Sequence, residues 1–206
     1  MLTRIQITAA LPRVAEGLRK YQALQRLSRR PRFYADPAFQ RAFNHFYRVR
    51  RGKRWREEYF RLLGQAARRS ISFRSVLARL AKSTGRYEAS FASKLVATVD
   101  PSQPVIDSIV LRNLRLCLPK SRAPRRLDAI EVIHTRLHIR YREFLQTAQG
   151  RYLIKSFRRM YPDARITAVK MLDFVLWQTR SPTARAVSAS GESGLVRAMP
   201  ETAGGQ

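Results

Sequence analysis

Residues 11–27, LPRVAEGLRKYQALQRL, decide the fold class. Leu11, Val14, Leu18, Tyr21, Leu24 and Leu27 recur at steps of three and four. That period predicts an amphipathic helix with Arg and Lys on its outer face, closed off by Pro31. The same period continues downstream. Asp36-Pro37 reads as an N-cap followed by proline at the first helical position, and Phe39, Phe43, Phe46 and Tyr47 form one apolar stripe. Gly52 interrupts the stripe, and Trp55, Tyr59, Phe60, Leu62 and Leu63 resume it. Ser72 opens a further helix carrying Phe73, Val76, Leu77 and Leu80, with Gly85 placed to end it. Residues 87–99 repeat the pattern through Phe91, Leu95 and Val99.

Asp100-Pro101 and Pro104 then predict a turn, because proline drives its predecessor out of the helical region. A short helix is expected over about 107–114, and PKSRAPRR at 119–126 reads as a basic loop. A long helix over 127–149 carries Ile130, Ile133, Leu137, Tyr141 and Phe144, with Gly150 as its stop. Shorter helices are expected over 151–161 and 167–179. No alternation of period two lasts long enough for a sheet. The sequence therefore predicts an all-α, compact multi-helix domain over 1–180. From Ser181 the period vanishes into Ser, Ala, Gly and Thr, so 181–206 is expected to be a disordered tail.

Charge supplies the first functional signal. The 206 residues hold 41 Lys and Arg against 14 Asp and Glu, a formal balance of +27 with a sequence pI near 11.6. Such an excess repels itself unless a polyanion screens it, which points to nucleic acid. The lone cysteine, Cys117, excludes a disulfide scaffold and a Cys-rich zinc module. No apolar run is long enough for a membrane span, and no secretory leader is legible, so a cytoplasmic setting is expected.

Six cations fall in nine residues at Arg48, Arg50, Arg51, Lys53, Arg54 and Arg56. Phosphate backbones reward such a cluster, because each neutralised phosphate releases condensed counterions. Tyr47 and Trp55 flank it as candidates for base stacking, although each taken singly reads better as core. Lys120 and Arg122, Arg125 and Arg126 form a second basic segment. His134 and His138 stand four apart on the long helix with Glu131 one turn before, the spacing of a helical metal pair. His134 falls on the apolar stripe, so core or boundary histidines are the favoured reading and no metal is expected.

Residues 84–116 carry the most specific pattern. Thr84-Gly85-Arg86 makes a glycine turn, followed by the small-residue helix Ala89-Ser90-Phe91-Ala92-Ser93-Lys94. Pro104-Val105-Ile106-Asp107-Ser108-Ile109-Val110 then leads to Arg112. This stretch resembles the helix-hairpin-helix family of base-excision DNA glycosylases, the 8-oxoguanine glycosylase type included. The segment from Lys170 to Trp177 is similar to a closing helix of such folds. The resemblance implies DNA as partner, Gly85, Arg86, Lys94 and Arg112 among the contacts, and Asp107 at the catalytic aspartate position. There the carboxylate would activate water or stabilise the oxocarbenium-like sugar while the base is flipped out. The family's nucleophilic lysine would fall near Ala89 or Ser90, so the implied activity is that of a monofunctional glycosylase without cofactor.

Read from the residues alone, Asp107 is equally an N-cap. The alternative function is a non-enzymatic basic module for DNA or RNA, working through Arg48–Arg56 and Lys120–Arg126. A peripheral membrane role for the basic first helix is a third class.

Overall fold

The computed structural model describes residues 2–69 and 71–179; the expected tail, 181–206, lies outside the described residues. Those residues are helical, with no strand among them: α1 (Arg4–Ala10), α2 (Ala15–Ser28), α3 (Pro37–Phe46), α4 (Lys53–Arg68) and α5 (Phe73–Thr84) come first. α6 (Ala89–Val99), α7 (Ser108–Asn113), α8 (Arg126–Gln146), α9 (Ala148–Met160) and α10 (Ala168–Gln178) complete the order. The all-α expectation holds.

Two boundaries differ from the sequence reading, each for a local reason. Helix begins earlier than Leu11, because Thr3 and Gln6 close a capping box that opens α1. Pro12 has no N–H to give, and residues 11–14 tighten into a 3-10 turn before α2 begins. Further on, α8 ends at Gln146, and Gly150 does not stop it but sits in the first turn of α9. Thr147 makes the corner: its Oγ1 donates to the Phe144 carbonyl at 2.7 Å and accepts from the Gly150 N–H at 3.1 Å. A Cβ at Gly150 would collide with the Phe144 carbonyl and lie 2.6 Å from Leu145 Cα. Glycine is there for close approach between two helices.

The predicted caps otherwise appear where the sequence puts them. Asp36 accepts from the Ala38 N–H, Ser72 from the Ser75 N–H, and Gly85 ends α5 with φ +71°. The apolar stripes meet in one connected core running from Leu2 to Leu176 and including Phe39, Phe43, Leu63, Leu77, Leu95, Leu137 and Phe157. Packed between α2, α8 and α10 is a buried polar group. Lys170 and Asp173 are both fully buried and paired at 2.6 Å, Tyr141 donates to Asp173 at 2.7 Å, and Lys170 lies over the Tyr21 ring.

Candidate nucleic-acid interface

The hairpin between α5 and α6 organises the basic segments. α5 ends at Gly85, so the chain turns sharply and exposes Arg86 before α6 begins. Glu88 stands at the α6 N-cap, yet its side chain caps nothing. Its carboxylate instead receives Arg51 Nη2 at 3.0 and 3.1 Å, which ties the 48–56 junction to the hairpin. Tyr87 beside it carries the Arg126 guanidinium 5.9 Å above its ring, and Arg126 also donates to the Ser121 carbonyl. Three basic segments distant in sequence, 48–56, 85–86 and 119–126, therefore converge around the start of α6.

The predicted contacts divide into two kinds there. Arg48, Arg50, Lys53, Arg54, Arg86, Arg122 and Arg125 are exposed, and so is Arg112 in the last turn of α7. Arg51, Arg56 and Arg126 are half-buried, and Arg51 is a structural pin lying over the Phe91 and Trp55 rings. Gly85 serves the turn. Nearby acids are largely answered within the fold: Glu88 by Arg51, Glu58 by Arg61, and Asp128 with Glu131 by Arg74. The outward field is therefore that of the unpaired arginines.

The flanking aromatics belong to the core. Trp55 stacks on Tyr59 at 5.0 Å, and Tyr47 is buried against Phe43. Among the described residues no Phe, Tyr or Trp is exposed. Lys94 lies half-buried with its ammonium over the Tyr47 and Phe91 rings, at 5.5 and 5.0 Å. Burial holds its pKa below the ordinary lysine range, and the charge of Asp107 works in the opposite direction. Lys94 and Asp107 thus sit within electrostatic reach of each other.

Asp107 is the N-cap of α7: Oδ1 accepts from the Ile109 N–H at 2.8 Å, and the side chain is half-buried. Two surface clefts, one around Arg4, Arg140 and Phe144 and one around Arg30, Tyr34 and Arg68, do not include it. The loop that delivers Asp107 is fastened from three helices. Ser93 on α6 accepts from the Ile106 N–H at 2.9 Å. At the start of α10, Thr167 donates to the Pro101 carbonyl at 2.7 Å. On α8, His138 shares a 2.6 Å bond with Gln103.

His138 therefore anchors the loop, and His134 packs between His138 and Phe73. His134 is buried, stacks on Phe73 at 3.9 Å, and has its pKa pushed down to about 3 by that burial. Among the described residues no group of three or more His, Cys, Asp or Glu stands together to hold a metal. The sequence reading missed Ser93 as a support of this loop, and Lys170 with Asp173 as a buried pair. A Lys and an Asp three apart inside the apolar run of 169–177 was the available signal. No described helix is long and apolar enough to cross a membrane. Comparison with family models, curated proteins and solved structures finds no match for the chain.

Proposed function

We propose that this chain is a nucleic-acid-binding protein that grips DNA by its phosphates, through an arginine face centred on the start of α6. The observation that carries this reading is the convergence of 48–56, 85–86 and 119–126, pinned by Arg51–Glu88 and Arg126–Tyr87. Non-specific recognition of single strands relies on aromatic platforms for stacked bases, whereas the rings beside this face, Trp55, Tyr87 and Phe91, are half-buried beneath Arg51 and Arg126. Phosphate contact by guanidinium groups is the chemistry this face offers.

Reversing Arg50 and Arg54 to Glu together tests it, since both are exposed and neither holds the fold. Duplex affinity, read by fluorescence anisotropy, is expected to fall by more than tenfold across unrelated sequences, with thermal unfolding unchanged. Arg51 is unsuited to this test, because Arg51→Glu would set two carboxylates against each other at Glu88. An affinity unaltered by the double reversal removes the 48–56 segment from the interface.

A second reading, favoured by the fastening of the 100–107 loop, adds catalysis: a monofunctional N-glycosylase with Asp107 acting at the sugar of an extruded base. A connection with no task beyond joining α6 to α7 has little need of anchors from three helices. Asp107→Asn separates the readings, because Asn caps a helix about as well as Asp. Stability is expected to stay within about 0.5 kcal/mol while base release from lesion-bearing duplexes disappears. If the wild type releases no base from any lesion, the catalytic reading falls and the binding reading stands.

A further inference from the structure

Among the described residues, four other than glycine adopt left-handed backbone, and all four are exposed arginines: Arg32, Arg48, Arg115 and Arg125, with φ between 47° and 52°. Two of them occupy the position that helix ends normally give to glycine. At the end of α3, the Val49 N–H reaches back to the Asn44 carbonyl at 2.9 Å and Arg48 N–H to the His45 carbonyl. At the end of α7, the Leu116 N–H reaches the Leu111 carbonyl at 2.9 Å and Arg115 N–H the Arg112 carbonyl at 3.0 Å. Both ends are Schellman motifs with Arg in the left-handed place, and Val49 and Leu116 supply the accompanying apolar contact. α5 ends with Gly85 in the equivalent conformation, the residue such a position ordinarily takes.

Arginine at such a position strains the backbone, since its Cβ crowds the adjoining carbonyl. A cation near a helix C-terminus is attracted by the terminal carbonyls, which is a structural reason for Arg. At α7 that need is already met, because Arg140 donates to the Leu114 carbonyl at 2.6 Å. Neither the Arg48 nor the Arg115 side chain makes a hydrogen bond or ion pair among the described residues. The two ends also share one neighbourhood. Phe46, two residues before Arg48, meets Trp177 at 6.1 Å, and Asn113, two before Arg115, donates to the Leu176 and Thr179 carbonyls. Both ends therefore abut the end of α10, beside the arginine face.

We infer that Arg48 and Arg115 are phosphate contacts held out by strained helix ends, and that they extend the DNA face from the α6 hairpin past the end of α7. This rests on the DNA-binding reading above and adds Arg115, which no basic run in the sequence marks. Glycine is the informative substitution, because it removes the guanidinium and suits the backbone it leaves. Arg32 has the same backbone but lies near the Arg68 end of α4, roughly 24 Å along that helix from Lys53, so it reports strain alone.

The experiment titrates duplex affinity against salt for wild type, the double variant Arg48→Gly/Arg115→Gly, Arg32→Gly, and Arg50→Glu/Arg54→Glu. The double glycine variant is expected to bind more weakly, with its log–log salt slope shallower by roughly 2, about one for each phosphate left without its guanidinium. Its Tm is expected to hold or rise, and Arg32→Gly to keep the wild-type slope. A double variant with the wild-type slope, while Arg50→Glu/Arg54→Glu is shallower, overturns this inference and leaves the DNA reading intact. Wild-type slopes in both double variants overturn the two together.

Discussion

Asp173→Ala is expected to destabilise the fold by about 3–5 kcal/mol, the usual cost of stripping one partner from a buried ion pair. The substitution leaves the Lys170 ammonium fully buried with no carboxylate, and it leaves the Tyr141 hydroxyl unanswered. Burial raises the Asp173 carboxyl above the usual carboxylate range, against the pull of Lys170, Tyr141 and Val105. Removing both charges together, as Lys170→Met/Asp173→Leu, is expected to recover much of the loss, because an apolar pair owes no desolvation. Urea unfolding at pH 7 measures both variants. A single variant within about 1 kcal/mol of wild type contradicts the assignment of this group as a structural lock.

Mild acid is expected to weaken the protein through His134. Its folded pKa is pushed down to about 3 from an ordinary 6.5, so the unfolded chain takes up the proton first. The sign follows: the contribution is fully present above about pH 6.5 and is lost as pH falls towards the folded value. Between pH 6.5 and 5 the loss from this residue is about 2 kcal/mol, rising to roughly 4–5 kcal/mol near pH 3. His134→Gln is expected to flatten the stability curve between pH 6.5 and 5. Parallel curves for wild type and variant would assign the acid sensitivity elsewhere.

Local features of this chain were legible in the sequence because local chemistry fixes them. Asp36-Pro37, Ser72, Gly85 and Asp107 each act within a few residues, and each caps or ends a helix as expected. The stripe of Phe39 and Phe43 is buried for the same reason. Gly150 misled, because glycine serves both to end a helix and to let two backbones touch, and only the packed corner distinguishes them. The interface was legible as separate basic segments, but their meeting was not. Arg51 finds Glu88 across 37 residues, and periodicity says nothing about such a pairing. The histidine pair shows the same limit: spacing puts both rings on one face, and the loop packed there determines what they bond. Arg115 was hidden for a different reason, since its left-handed backbone has no sequence signature when the residue is not glycine.

Whether this face neutralises DNA phosphates, as proposed, is read from the salt dependence of wild-type affinity for a short duplex. Each neutralised phosphate contributes a slope of about −0.9 in log affinity against log salt. With the exposed cations Arg48, Arg50, Lys53, Arg54, Arg86, Arg122 and Arg125 engaged together with Arg115, the slope is predicted to be about −7. That corresponds to a fall of more than a thousandfold in affinity between about 50 and 200 mM salt, on the order expected for six to ten neutralised phosphates. A slope near zero, or no duplex binding at low salt, would mean that these arginines neutralise no DNA phosphates.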